Sequence, residues 1–412
     1  MKKIYLTIIV LLFGLRATAQ DVTDSTIIED TLTQDSVNIE VSLPWPQNVQ
    51  ARLDTLLKDR LLETSQLGLM VYDLTDDSVL YVHNHRQLMR PASTMKTVTA
   101  ISALAFLGGS YQLQTTFAYS GEIQDRTLTG SIYCKGGMDP VFSIDDLREL
   151  VSRVKQLDID TLRGSIVTDL SMKDTLKWGE GWCWDDDNPT LSPLLIGKKP
   201  ALVERFITEL TNAGIIIDSL TLFEDLPPED AFPLYTCKHS IDQVLLRMMK
   251  ESDNLYAECL FYQLAARYGS KPARAIHGRT LEKQLVNHIG LDASNYKFAD
   301  GSGLSLYNYV SPELLTVLLR YAWQQPTIYN HLLPSLPIAG VDGTLKKRMR
   351  NTSAEGNVRA KTGTLTGVIS LAGYLTAANG HQLCFAIINQ GVMRGSEARK
   401  FQDRLCIELC RE

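Results

Sequence analysis

The sequence predicts an α+β fold, an antiparallel sheet flanked by helices and built from strands near both ends of the chain, with a smaller α/β domain inserted into it. Three observations carry this prediction. Residues 67–73 and 78–82 are apolar runs separated by Asp76-Asp77 and predict a hairpin, while 357–362, 368–377 and 382–389 predict three further strands at the other end of the chain. Apolar residues recur at helical spacing between and after these strands. The stretch 110–239 has strands and helices of its own and is long enough to be a domain.

Taken in order, the chain opens with Lys2 and Lys3, an apolar run over 4–15 and the small-residue site Ala17-Thr18-Ala19, which together predict an export signal over 1–19 cleaved after Ala19. A membrane-spanning helix needs about 20 apolar residues. This run is shorter and is interrupted by Arg16, and no later segment approaches that length, so no stable membrane anchor is expected after cleavage. No cysteine closely follows the cleavage site, which removes the simplest case for a lipid anchor. Residues 20–48 are rich in Thr, Ser and Asp, and the surrounding stretch 20–50 has six acids and no Lys or Arg, which predicts a flexible acidic lead-in.

Helical spacing over 49–62 precedes the hairpin, and a helix starting near Ser93 is expected to pack on the sheet that the hairpin begins. Within the insertion, 128–135 and 164–169 predict strands, and 144–156 and 200–213 predict helices. The chain is then helical over 241–267, with Ser252-Asp253-Asn254 in or at a break, and again over 273–288 and 312–323. A last helix over 396–410 presents Phe401, Leu405 and Leu409 on one narrow face suited to core packing. The expected division is therefore 49–109 with 240–412 as one domain and 110–239 as the insertion.

With 412 residues, 44% of them hydrophobic and 21% charged, the chain can bury a substantial core. A formal charge of −6 without any long basic run excludes a nucleic-acid binder. Seven cysteines occur without Cys-x-x-Cys spacing, against a zinc ribbon or a thioredoxin-type site, and their odd number leaves at least one free thiol. Cys406 and Cys410, one helical turn apart, are expected to pack rather than bond. His83 and His85 lack an accompanying Cys, Asp or Glu cluster and are read as a strand end, so neither a metal nor another cofactor is expected.

The chemistry rests on three short motifs. In Pro91-Ala92-Ser93-Thr94-Met95-Lys96, a helical turn sets the Lys96 amine beside the Ser93 hydroxyl. A serine is a poor nucleophile until a neighbour takes its proton, and a lysine with a lowered pKa can do so. A Ser-x-x-Lys pattern alone is weak. It gains force from Ser252-Asp253-Asn254 and Lys361-Thr362-Gly363, which follow in the order found in penicillin-interacting serine enzymes. Ser93 is then the acylated nucleophile and Lys96 the general base. Ser252 relays a proton to the leaving amine, Asn254 holds the substrate amide and Lys96, and Lys361 adds a positive charge that favours a substrate carboxylate and disfavours protonation of Lys96. Thr362 can bond the same carboxylate. Gly363 lets an extended peptide lie close to an edge strand, and the backbone N–H groups of Ser93 and Thr364 can form an oxyanion hole.

Gly136-Gly137-Met138-Asp139-Pro140, Gly181-Trp182-Cys183-Trp184-Asp185-Asp186, Asp300-Gly301-Ser302-Gly303-Leu304-Ser305 and the run 336–345 accompany these motifs in order. Together they make the sequence, from about Leu67 onward, resemble the class C low-molecular-mass penicillin-binding proteins, the exported D-alanyl-D-alanine carboxypeptidase/endopeptidase group. The resemblance implies a serine β-lactamase/transpeptidase-like core, a periplasmic location, action on peptidoglycan stem peptides through an acyl-enzyme, and covalent inhibition by β-lactams. It also implies that Asp186 meets an amine on the third residue of the stem peptide. An arginine that meets the neighbouring carboxylate in relatives is Leu306 here, and that contact is either lost or moved to another group such as Arg348. The short span from Asp186 to Ser252 implies that a nested extra domain of larger relatives is absent. A β-lactamase or esterase on the same fold, and a silent wall-binding scaffold, are the alternatives. The first would need an efficient deacylating water, and the second predicts the loss of at least one motif, whereas all three are present.

Overall fold

A computed structural model describes residues 43–186, 188–269 and 271–411. The export signal expected over 1–19, and the lead-in up to residue 42, lie outside them. Residues from Pro44 onward form one compact unit. Regular structure starts slightly before the expected position 49, with α1 (Gln47–Leu56), because Trp45 packs into the same core as Val49 and Leu53. The expected helix to Leu62 breaks after Leu56. Asp59 starts a separate short turn, Arg60–Glu63, by accepting from the Leu61 N–H.

Strands β1 (Gln66–Asp73) and β2 (Ser78–His83) form the expected hairpin, and α2 (Met95–Leu107) follows. Next in the chain come β3 (Gln112–Gln124), β4 (Thr127–Lys135), α3 (Ile144–Lys155), β5 (Thr161–Asp169), α4 (Leu202–Asn212), β6 (Ile216–Glu224) and β7 (Phe232–Ser240). Next come α5 (Ile241–Lys250), α6 (Asn254–Arg267), α7 (Ala275–His288), α8 (Pro312–Gln324) and α9 (Pro326–Ser335). The chain ends in β8 (Arg359–Leu365), β9 (Val368–Thr376), β10 (Gln382–Gln390) and α10 (Gly395–Cys410).

The first sheet runs β2-β1-β10-β9-β8, antiparallel throughout, and pairs the two ends of the chain directly, with Gln66 opposite Gln390. All but the terminal residues of β9 and β10 are buried, which explains their nearly unbroken apolar sequence: both faces of the sheet are covered. On one face Leu371 and Phe385 meet Leu53, Phe401 and Leu405 from α1 and α10, and on the other Ala372 and Ala386 share a core with α2, α5 and α8. Each of the buried leucines and phenylalanines contributes about 1.5–3 kcal/mol by its removal from water.

The expectation that the helix after Ser93 packs on the sheet needs correction. Helix α2 is buried at every position from Met95 to Leu104, and its main neighbours are α6 and α9; the turn before it, Ala92–Thr94, is what touches β8 and β9. A helix buried on all sides is enclosed by other elements. Its central position carries Lys96 into the interior. All seven cysteines are unbonded, and Cys406 and Cys410 pack in one core as expected.

The second sheet runs β6-β5-β4-β3-β7, with β4, β5 and β6 parallel and β3 antiparallel to both its neighbours. Helix α3 starts with a capping box between Ser143 and Asp146, and its acidic first turn and basic last turn complement the helix dipole. Its apolar face, Leu147, Leu150, Val151 and Val154, packs with Phe117, Ile132 and Ile166 of the sheet. His239, at the end of β7, ties this layer together: its Nδ1 lies 2.6 Å from Asp139 Oδ2, and its Nε2 lies 3.7 Å from Asp146 Oδ1.

The hydrogen bond to Asp139, with a smaller one to Cys237, raises the His239 pKa from 6.5 to about 10. A group protonated more firmly in the folded state stabilises it below the unfolded pKa and loses that contribution as pH rises through the folded one. His239→Gln should therefore lower stability by roughly 1.5–3 kcal/mol at pH 6, the range for a hydrogen bond to a charged group. Denaturant melts between pH 6 and 10 should show the gap between wild type and variant closing as pH rises above 6.5.

Candidate active site

Ser93 lies in a 3-10 turn, Ala92–Thr94, immediately before α2, which starts at Met95, two residues after the expected start at Ser93. Ala92 has φ +49°, a left-handed conformation that costs a non-glycine residue on the order of 1–3 kcal/mol and persists only where the surroundings enforce it. They do so here. The Pro91 carbonyl accepts from Thr94 Oγ1 at 2.7 Å and from Ser370 Oγ at 2.6 Å. Across from it, Gly303 approaches so closely that a Cβ there would stand 1.9 Å from the Ala92 carbonyl oxygen.

Lys96 is fully buried, and its Nζ meets three oxygens: Ser93 Oγ at 3.0 Å, Asn254 Oδ1 at 2.7 Å and the Ser302 carbonyl at 2.7 Å. As an ammonium it donates to all three. As a neutral amine it has two N–H bonds and one lone pair. The amide and backbone oxygens can only accept, so they take both hydrogens and leave the lone pair facing the Ser93 hydroxyl. Burial lowers the Lys96 pKa from 10.5 to about 8, against the opposing charges of Asp300, Glu258 and Asp253. The amine is therefore free over part of the physiological range.

Ser252-Asp253-Asn254 occupies the break between α5 and α6. Asp253 caps α6, accepting from the Leu255 and Tyr256 N–H groups, and its other oxygen binds Lys198 at 2.7 Å and Arg247 at 3.1 Å. Those cations hold its pKa low despite burial, which acts to raise it. The capping role thus belongs to the middle residue of the motif. Ser252, at φ +60°, and Asn254 both turn toward the lysines. Lys198 comes from the stretch 110–239, which thus contacts the motif directly.

Lys361, also fully buried, donates to Ser252 Oγ and to the Thr362 carbonyl, each at 2.8 Å. Burial first, and the charge of Lys96 second, hold its pKa well below the usual lysine value. Strand β8 is an edge strand, as the motif predicts. Gly363 has a further reason to lack a side chain: a Cβ would stand 2.1 Å from Ser370 Oγ, 2.8 Å from the Pro91 carbonyl and 3.0 Å from the Ser93 nitrogen. Glycine thus brings β8 against the nucleophile turn, next to the Ser93 nitrogen. Thr362 Oγ1 donates to Thr344 Oγ1 at 2.7 Å, and Thr364 Oγ1 accepts from Arg399 at 3.3 Å.

The structure therefore brings Ser93, Lys96, Ser252, Asn254, Lys361, Thr362, Gly363 and Thr364 together. Asp186 does not join them by any described contact; it is exposed at a bend, where its N–H bonds the Cys183 carbonyl. Its loop is rooted near the site by Trp182, whose Nε1 donates to Asp300 Oδ2 at 2.8 Å. Arg348 is committed elsewhere, with Nε 2.8 Å from Asp403 and Nη2 on the Arg399 carbonyl, which removes it as a stand-in for the missing arginine. Leu306 offers only its carbonyl, to Arg90 Nε at 3.1 Å. A cavity of about 860 Å³ at the C-terminal ends of β4, β5 and β6, lined by Lys135, Asp169 and Glu224 among others, holds none of the motif residues.

Sequence reasoning assigned no role to Ser302, Glu258 or Thr344. The runs containing Ser302 and Thr344 stood out as motifs, but a backbone carbonyl that acts as a lysine acceptor leaves no mark in the residue type. Glu258 reads as an ordinary helix residue.

The chain matches the D-Ala-D-Ala carboxypeptidase 3 (S13) family over residues 49–195 and 198–408. It is 25% identical to D-alanyl-D-alanine carboxypeptidase DacB of Haemophilus influenzae, covering 87% of this chain and 92% of that protein. It is 27% identical to the D-alanyl-D-alanine carboxypeptidase of Actinomadura sp., covering 87% and 83%. The crystal structure of penicillin binding protein 4 (dacB) from Haemophilus influenzae superposes with a TM-score of 0.78 at 24% identity, covering 87% of this chain and 98% of that one; the same protein has also been crystallised with a β-lactam. On the extent of the family match, the chain belongs to the D-Ala-D-Ala carboxypeptidase 3 (S13) family.

Proposed function

We propose that the protein is a serine D-Ala-D-Ala carboxypeptidase/endopeptidase that acts on peptidoglycan stem peptides through an acyl-enzyme at Ser93 and is inhibited by β-lactams. The observation that carries the proposal is the Lys96 amine, whose two acceptor-only neighbours leave its lone pair facing Ser93 Oγ. Ser93 Oγ attacks the carbonyl of the penultimate D-Ala as its proton passes to Lys96 Nζ. The oxyanion is held by the Ser93 and Thr364 N–H groups, each such donor contributing about 3–4 kcal/mol in comparable hydrolases. When the C–N bond breaks, the departing nitrogen takes the Ser252 proton, which Lys361 at 2.8 Å can replace. Lys96 returns the proton it took from Ser93 through solvent to Lys361, which has given one up, and is a free amine again. Water then attacks the ester, giving its proton to Lys96, which passes it to Ser93 Oγ as the acyl C–O bond breaks. Carboxypeptidase and endopeptidase action differ only in the amine that leaves.

Asn254 leaves its amide nitrogen for the substrate carbonyl, and Thr362, with Thr344 behind it, faces the terminal carboxylate. Asp186, exposed on the loop anchored by Trp182, is the acid available to an amine on the third residue. In this reading 49–109 with 240–412 is the catalytic domain and 110–239 an inserted one, and the first 19 residues direct export to the periplasm. Among the described residues no helix is long and apolar enough to cross a membrane.

A fluorescent penicillin should label the wild type as a stable covalent adduct and leave Ser93→Ala unlabelled; rapid turnover of the drug would favour a β-lactamase instead, and no labelling a silent scaffold. Acylation should climb about tenfold per pH unit up to pH 8 and then level, as Lys96 loses its proton. In Lys96→Gln the rate should fall by roughly 10²–10⁴, the usual weight of a general base. Gly363→Ala should slow acylation by at least about 100-fold while leaving the melting temperature little changed, since the new methyl displaces β8 from Ser93 by an ångström or so.

A further inference from the structure

We propose that Glu258 is a positioning residue for the catalytic lysine: from the floor of the site it fixes the Ser302 carbonyl that directs the Lys96 lone pair at Ser93. The inference rests on the reading of Lys96 as general base. Glu258 lies on α6, one turn beyond Asn254, and is 1% exposed. Its Oε1 accepts from the Gly301 N–H at 3.1 Å and from the Ser302 N–H at 2.8 Å. The carbonyl of Ser302 is the one Lys96 touches at 2.7 Å, and the carbonyl of Gly301 accepts from Thr99 Oγ1 at 2.8 Å. A single carboxylate oxygen thus holds two successive N–H groups of a backbone segment whose carbonyls bond the helix that carries Lys96.

The lone-pair geometry makes this link matter. A neutral amine is aimed by its two N–H bonds, and only one of their acceptors, Asn254 Oδ1, is a side chain of the recognised motifs. The second is a backbone atom in a loop, 302, that could turn its carbonyl away at little cost were its N–H not pinned. With that acceptor displaced, the amine can rotate and its lone pair no longer faces the hydroxyl proton. Asp300 steadies the same loop from the far side, accepting from the Gly303 N–H at 2.8 Å and the Ser305 N–H at 2.8 Å. It also accepts from Ser302 Oγ at 3.3 Å, but the N–H groups of Gly301 and Ser302 are left to Glu258.

Charge adds a second consequence. The ionisable groups around Lys96 and Glu258 are Asp253 at the start of α6, Asp300 in the loop, Glu282 with Arg279 on α7, Lys361 on β8, and Cys259 and Tyr262 on α6. Burial, then Asp300, raises the Glu258 pKa to about 8, beside that of Lys96. The fraction of Glu258 that is ionised therefore favours the ammonium form of Lys96, and its removal favours the free amine.

The test is the second-order rate of acylation by a fluorescent penicillin between pH 6 and 10, for wild type, Lys96→Gln, Glu258→Ala and Glu258→Gln. Glu258→Ala should lose about 100-fold at every pH, the cost of a misplaced catalytic group. Glu258→Gln keeps an oxygen for both N–H groups and should stay within about tenfold of wild type, while the midpoint of its pH rise moves acidward by about half a pH unit as the carboxylate charge is lost. A residue with a merely structural role would lower the rate without moving that midpoint. A Glu258→Ala protein that melts like wild type and acylates within threefold of it overturns the proposal, as does an unmoved midpoint in Glu258→Gln, which decides the matter if the alanine variant does not fold. Failure of the wild type to acylate, or acylation that survives in Lys96→Gln, would instead overturn the functional reading on which this one stands.

Discussion

A buried amine with no carboxylate in contact is the constraint around which the rest of this molecule is arranged. Lys96 is removed from water entirely and compensated by three oxygens, none of them charged. Desolvating an ammonium costs several kcal/mol unless the group loses its proton instead. The fold holds Lys96 near the balance between those two outcomes, with three acids too far to pair with it but close enough to keep it from being neutral at all pH. A salt bridge at the same place would hold the proton too firmly for a base, and an apolar pocket would leave nothing to orient the amine.

Four segments distant in sequence supply that environment: the turn at Ser93, the break at Ser252, the loop at Ser302 and the edge strand at Lys361. Each is irregular where it enters the site. Ala92 and Ser252 sit in left-handed backbone, and Gly303 and Gly363 permit approaches that no other residue could make. Strain of this kind survives because the elements on either side are rigid, α2 among helices and β8 on a sheet buried on both faces. The inserted stretch takes part as well, since Lys198 helps to fix Asp253.

Much of this was legible in the sequence, and the remainder was hidden for identifiable reasons. The strands β1, β9 and β10 announced themselves because they are covered on both sides and must be apolar, while the exposed edge strand β2 was marked by its place after the Asp76-Asp77 turn. By contrast β3 and β6 carry polar and exposed residues along much of their length, and α9 follows α8 after a single residue and contains Pro334, so neither periodicity nor punctuation marked them. The three catalytic motifs were readable because their side chains do the work. Thr344 and Glu258 act through partners 18 and 43 or 44 positions away, at which distance neither residue type nor spacing says anything. Arg348 was a reasonable surrogate for a missing arginine on charge alone; its partners Asp403 and Gln402 come from α10, and only the packing of that helix reveals that it is engaged. The position of Ser93 in a 3-10 turn follows from the conformation of Ala92, which its sequence neighbours do not dictate.

The strand order has a consequence for how the molecule comes into being. Strand β10 inserts between β1 and β9, so the hairpin made first has no lasting partner until the end of the chain has been made. Pairings between such remote segments are slow to form, and an unpaired edge invites the wrong neighbour in the meantime. Because β8, which bears Lys361, reaches β1 only through β9 and β10, a ribosome's unfinished product cannot assemble the cleft. The cleft therefore closes only as a late event of folding, after β9 and β10 have joined the two ends of the sheet.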